Sequence, residues 1–386
     1  MTVSIWQADH QQPIRDVDFL VVGAGLIGCT AAYFAGQQGR DVVITEMRDV
    51  GLGASSRNAG FMITGMDTYY HRAIEIYGRD LTSWMWRLSN RTHEIWHQFA
   101  SKGNVPVFNG GSLLLAESQA EKDEIKLAYE ALKADGHQAI YHDSDPLRRG
   151  YFAAIEQPQD CAIQPYHFVN SIFQQSGAEL AANNELYAIE QTEADYVMVY
   201  TRQYAFRAKH VLLCTNAYSP NIHPYFIGKV IPNRAQVLVT EPLDQSLIPS
   251  CGYSDYGYMY YRMTFDNRFL VGGARNLYQE LEGDTTDDRV NEQVQSALED
   301  YCRKYYPETI GADGQLNVHR RWAGIMGFTP DSIPLVGTLP DMPNVGFAVG
   351  FTGHGLAMGG GTAEIAVDHL LHGADAHYLH SKRLDG

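Results

Sequence analysis

Residues 18–29 read DFLVVGAGLIGC, and no other stretch limits the fold so sharply. Its first half is a short apolar run, the pattern of a parallel strand buried on both faces. Its second half continues as a helix, with Ile27, Ala31, Phe34 and Ala35 at three- and four-residue spacing. Three glycines stand between them. Gly23 permits the tight turn, Gly25 lets backbone approach a pyrophosphate, and Gly28 lets helix and strand pack closely. The first helical residues, Leu26 and Ile27, complete that cradle.

Such a glycine pattern is weak alone and gains weight from its surroundings. A second apolar strand, DVVITE, ends in Glu46, 23 residues after Gly23. A carboxylate at that place accepts both hydroxyls of an adenosine ribose and repels a 2′-phosphate, so NADP is disfavoured. The 18 uncharged residues 19–36 are long enough to raise the question of a membrane span. Their glycines divide a strand-like half from a helix-like half, so a buried strand, turn and helix explain them better.

A chain of 386 residues is too long for one ordinary core and fits two domains. With 45% hydrophobic and 19% charged residues it is globular, and its net charge of −16 comes without any Lys/Arg run, which argues against nucleic acid. The five cysteines (Cys29, Cys161, Cys214, Cys251, Cys302) are scattered and form no C-x-x-C pair. Neither a disulfide framework nor a metal site is expected, and a reducing, cytoplasmic setting is. The first sixteen residues are polar and lack a signal peptide's apolar stretch.

The residues after Glu46 choose between dinucleotides. MRDVGLGASSRNAGFM, residues 47–62, carries no strand signal where an NAD domain would continue with a helix and a third strand. FAD instead needs a loop along its pyrophosphate, ribitol and ring. Met47 and Arg48 lead into that loop, Ser55, Ser56, Arg57 and Asn58 supply donors, and Ala54, Ala59 and Gly60 keep the backbone close.

VVGAGLIG, GASSRNAG, VLLCTNAYSP, WAGIMGFTPDSIPLVG and GFTGHG occur in this order. In this the chain resembles the flavoprotein amine and amino-acid oxidases of the D-amino-acid oxidase type, from about residue 18 to 372. The resemblance implies an α/β fold: a Rossmann-like FAD-binding domain with an inserted α+β substrate domain on a mainly antiparallel sheet. The FAD domain would comprise 17–90, 147–220 and 322–386, and the substrate domain 91–146 and 221–321. Strand-like alternation in AQVLVTEPL, YMYYRM and RFLVGGAR supports that sheet, the roof over the flavin. Leu186 matches the position whose backbone meets the adenine. Thr215, Asn216 and Ala217 form the small-residue turn after the returning strand.

The resemblance brings the C-terminal glycine cluster back to the flavin, with Gly350, Thr352, Gly353, His354, Gly355 and Leu356 beside it. A helix starting at Gly355 or later would aim its positive end at the pyrimidine edge, where negative charge develops on reduction. Its glycines would keep side chains from pushing the ring away. Relatives with covalent FAD carry a cysteine shortly before a Thr-Pro-Asp motif. Here Gly324 holds that place before Thr329-Pro330-Asp331, so non-covalent FAD is expected.

The implied chemistry is oxidation of a C–N bond, with O2 reduced to H2O2. The candidate catalytic residues are Tyr258 and Tyr260, on one face of a strand, with Arg262 and His354. Glycine oxidase binds its substrate carboxylate through an arginine at the place of Met326. Either Arg57, Arg262 or Arg321 takes that role, or the substrate is an amine without that carboxylate. No lysine for O2 activation occurs in RFLVGGAR. A same-fold dehydrogenase using a quinone or carrier protein, a non-catalytic FAD-binding subunit and an NAD(P)H-dependent hydroxylase stay open, the last disfavoured by GFTGHG.

Overall fold

The computed structural model describes residues 12–193 and 195–385. The strand expected around residues 18–22 spans Ile14–Val22, and the glycine turn feeds the helix Leu26–Gln37. That strand pairs in parallel with Val42–Thr45 on one side and Ala205–Leu213 on the other. Val42–Thr45 is buried throughout, and so is the Val211–Leu213 end of the other neighbour, as a two-sided parallel sheet requires, whereas Arg207, Lys209 and His210 earlier on that strand are not buried. Glu179–Ala181 extends the sheet beyond Val42–Thr45, in parallel.

The outer edge of Ala205–Leu213 is shared. Its first half takes the hairpin Leu186–Glu193 and Tyr196–Thr201, and its second half takes Met342–Val349 in parallel. Residues more than 300 positions apart in the chain, Val22 and Phe347, thus flank one strand end at Leu213.

The second large sheet has eight strands, in the order Val318–Phe328, Ile231–Pro242, Arg268–Gly273, Met259–Met263, Cys251–Ser254, Ser112–Leu115, Ala154–Gln157 and Ile140–His142. All its pairings are antiparallel except that of Cys251–Ser254 with Ser112–Leu115. Ala154–Gln157 lies in the stretch 147–220 assigned from sequence to the FAD domain, yet it pairs in this sheet. A strand of four residues carries too little pattern to show its partner. The helix Glu292–Tyr305 covers one face of the sheet, where Tyr261, Phe269, Leu298 and Tyr306 share a core.

The C-terminal helix spans Gly355–His372, beginning at the first residue allowed by the sequence. It packs against Leu26–Gln37 and the long helix Arg79–Lys102. Gly359, Gly360 and Gly361 form that contact. A Cβ on Gly359 would lie 2.4 Å from Ile27 Cδ1, and one on Gly361 2.6 Å from Leu88 Cδ1. These glycines serve helix packing, which corrects the expectation that the whole cluster is kept bare for the ring. Trp96 Nε1 donates to Leu356 O at 2.6 Å and fastens the helix start to the same neighbour.

Candidate active site

A cavity of about 670 Å³ is lined from both large sheets. At one end the glycine turn is held by sterics. Gly23 has φ +105°, and a Cβ on Gly28 would fall 1.8 Å from Gly23 O, so Gly28 is required for the turn while not lining the cavity. Both oxygens of Glu46 accept backbone hydrogen bonds, from Ala24 N at 2.8 Å and Arg48 N at 2.9 Å. A carboxylate has further lone pairs, so this fixes its aim and leaves room for ribose hydroxyls.

The loop after Glu46 folds as the short helix Ala54–Arg57 and lies across the glycine turn. Ser55 Oγ accepts from Leu26 N at 2.8 Å, and Asn58 accepts from Gly60 N at 2.8 Å. Met47, Arg48, Ala54, Arg57 and Ala59 also line the cavity, whereas Ser56 does not, because the short helix turns it away. Arg48 Nε is buried without a partner among the described residues. Leu186, Thr215, Asn216 and Ala217 complete this half.

Asn216 also ties its mid-chain turn to the C-terminal glycine cluster. Its Oδ1 accepts from Gly350 N at 2.9 Å. Gly350 itself is not in the lining; a Cβ there would meet Thr329 Cγ2 at 2.4 Å, so its role is steric. Beyond it Thr352 (φ +48°) and Gly353 (φ +81°) are both left-handed, and Thr352 N donates to Gly327 O at 2.8 Å. The loop therefore lies on the strand bearing Gly324 and Met326, and Met326 Sδ sits 3.3 Å from where a Gly353 Cβ would be. The helix that follows has no side-chain cap and no acidic residue in its first turn. His354 precedes it, with Nδ1 3.0 Å from Thr352 O. A carbonyl only accepts, so Nδ1 carries a proton and Nε2 is the ring nitrogen left for another partner.

Tyr258 and Tyr260 both line the roof end. Burial pushes the Tyr260 phenol up to about 12, so it stays protonated. Gly272 makes room for its ring: a Cβ there would lie 2.4 Å from Tyr260 Cε2. Arg262 is different. It is buried beside the cavity without lining it and donates to Ile163 O at 2.7 Å. Its placement as a substrate contact is corrected: one strand face carries Tyr260 and Arg262, but the small sheet of Phe61–Met62, Cys161–Ile163 and Val107–Phe108 covers the latter. Arg321 pairs with Glu299 at 2.6 Å and also lies outside the lining.

Sequence reasoning missed Asp67, Asp160, Tyr253 and Arg275, all of which line the cavity. Arg275 follows RFLVGGA directly, but nothing in that local pattern aims its side chain. Asp160 accepts from Thr64 N at 3.0 Å, Ser112 Oγ at 2.6 Å and Gln157 Nε2 at 3.1 Å. Desolvation outweighs these donors and raises its carboxyl to about 7.

A carboxylate fixed after the second strand, a glycine turn open to phosphate, a buried arginine Nε without a partner, and an uncapped helix start on one cavity fit an elongated dinucleotide. The family comparison agrees. Residues 18–369 match the DAO family, described as FAD dependent oxidoreductase. The chain belongs to this family of FAD-dependent oxidoreductases. It is 27% identical over 362 residues to gamma-glutamylputrescine oxidoreductase of Escherichia coli K12, covering 88% of this chain and 80% of the relative. Its fold is similar to that of L-proline dehydrogenase from P. horikoshii, with TM-score 0.79, 21% identity and coverage of 95% and 96%. Glycine oxidase from Bacillus cereus is similar too, with TM-score 0.78, 17% identity and coverage of 94% and 97%. No helix among the described residues is long and apolar enough to cross a membrane.

Proposed function

We propose that this chain oxidises the C–N bond of an amine or amino acid, with non-covalent FAD and with O2 as the final acceptor. The observation that carries the reading is the continuity of one cavity. It runs from the glycine turn and Glu46 to Met326, His354, Tyr258 and Tyr260. Bound FAD supplies a two-electron acceptor for the hydride that leaves the α-carbon of a neutral amine. The resulting imine is hydrolysed by water.

The chain's own part is binding and orientation. Gly23, Gly25, Glu46 and Ser55 hold the nucleotide half, and Gly324, Gly353, Gly355 and Leu356 leave backbone facing the other. The uncapped start of Gly355–His372 favours negative charge placed before it. Tyr260 offers a neutral phenol to orient the amine, and the roof keeps water away.

Anaerobic addition of amines and amino acids, with flavin absorbance followed, tests this. Bleaching by one donor class and recovery in air with H2O2 is expected. Bleaching with no recovery in air would favour the dehydrogenase, for which one observation speaks: no lysine lies among the described lining residues. A flavin that no donor reduces would favour the non-catalytic reading. Acid precipitation should leave an uncoloured pellet.

A further inference from the structure

Three arginines line the cavity: Arg48, Arg57 and Arg275. Arg48 belongs to the nucleotide end, beside Glu46. Arg57 is engaged with Asp288 and with Ala323 O. Arg275 is free for a ligand. Among the described residues its guanidinium makes no hydrogen bond, and its ion pair with Asp67 is 3.9 Å long, beyond hydrogen-bond reach.

It is nevertheless held in place. The guanidinium carbon lies 5.0 Å from the centre of the Tyr258 ring and 4.9 Å from that of Phe328. Two aromatic faces thus fix its position while leaving the N–H donors at its edge unused. The backbone that carries it is also fixed, by a turn tied to Tyr258. Gly273 (φ +130°) and Ala274 (φ +59°) turn the chain sharply off the roof strand, and Ala274 N donates to Tyr258 O at 3.1 Å. A Cβ on Gly273 would strike Tyr258 O at 1.9 Å, so this turn depends on glycine.

We infer that Arg275 is the carboxylate receptor of this active site, so that the substrate is a carboxylate-bearing amine. A clamped guanidinium with open N–H groups matches a carboxylate in two parallel hydrogen bonds. Phe328 lies two residues beyond Met326 on the same strand, so the receptor stands beside the position where Met326 cannot bind an acid. Asp67 keeps Arg275 aligned without occupying its donors. The step from receptor to substrate class rests on the proposed function.

Two measurements on the holoenzyme separate them. In the first, propionate and butyrate, and their uncharged amides, are titrated while the flavin spectrum and binding heat are followed. Binding of the acids alone is expected, weakened by about 10- to 100-fold in Arg275→Met at unchanged flavin content, with partial recovery in Arg275→Lys. In the second, amino acids are compared with the amines left by their decarboxylation as donors for anaerobic bleaching. Preference for the amino acid by the wild type, lost in Arg275→Met through KM more than kcat, supports the assignment.

Equal use of acid and amine by the wild type, or carboxylate binding that survives Arg275→Met, would overturn it while leaving the oxidoreductase intact. Loss of FAD from a folded Arg275→Met would overturn it too, by assigning the guanidinium to the cofactor. If that variant does not fold, Arg275→Lys and the acid-against-amide comparison decide. Carboxylates bound through Arg275 with no donor ever bleaching the flavin would sink the proposed function and spare the receptor.

Discussion

Glu46 accepts a hydrogen bond from the backbone N–H of Ala24 at 2.8 Å, and so the acid after the second strand grips the glycine turn itself. On the proposed function, the contact would link cofactor recognition to local order. A carboxylate used only for a ligand would swing freely in its absence. Here the protein has already fixed the aim.

Replacing Glu46 by Gln removes the charge from two backbone bonds and from the ribose site at once. Loss of a charge-assisted hydrogen bond amounts to about 1.5–3 kcal/mol, so FAD affinity should fall by about 10- to 100-fold. Flavin fluorescence during titration of the apoprotein measures it. An unchanged dissociation constant would place the ribose elsewhere.

Gly28 and Gly361 both sit in helices, and their substitution should differ sharply. In Gly28→Ala the new methyl meets the backbone oxygen of Gly23 at 1.8 Å, and backbone cannot step aside. A loss of about 3 kcal/mol or more is expected, with poor retention of FAD. In Gly361→Ala the methyl meets the flexible end of Leu88 at 2.6 Å, and alanine is the better helix former. The net change should stay within about 1 kcal/mol. Thermal melts of the two variants check the contrast.

Asp160 gives a pH dependence whose sign is fixed. Its carboxyl titrates at about 7 in the folded chain, above its ordinary value. Between about pH 4 and that point the native state keeps a proton the unfolded state has lost. The contribution is full below the ordinary value and fades as pH rises through the native one. Relative to Asp160→Asn, wild-type stability should therefore fall with rising pH across this window, by up to about 1.4 kcal/mol per unit. Denaturant curves at several pH values test this, and a constant difference would mean that Asp160 is ionised throughout.

His354 stands between the left-handed Thr352–Gly353 turn and the C-terminal helix, with its Nδ1 on Thr352 O at 3.0 Å. His354→Ala should shift the flavin absorbance or lower turnover, by about 10-fold if the ring helps orient the donor. Identical spectra and turnover would remove the side chain from the site.

Much of the nucleotide half was legible in the chain. Gly23, Gly25 and Gly28 announce themselves because a tight turn between strand and helix leaves few alternatives. Alternation around Tyr260 revealed the roof strand, which spans Met259–Met263; Tyr258 falls just before it, at the end of a short turn, and so does not share its face, yet both tyrosines reach the cavity. The same alternation misled at Arg262. Period two gives the face of a sheet but not what covers it, and Cys161–Ile163 covers that part. Gly359–Gly361 likewise announced a close approach without saying that Ile27 and Leu88 make it.

By itself the sequence determined what neighbouring residues decide by local sterics: the glycine turn, the acid ending the next strand, the start of the last helix and the alternation of the roof. Only the tertiary structure decided which side chains meet. Asn216 reaches Gly350, Glu46 turns back to Ala24, and Arg275 lies between Tyr258 and Phe328. Backbone preference acts over a few residues, whereas a side chain's charge, burial and partners come from whatever strand the fold lays beside it.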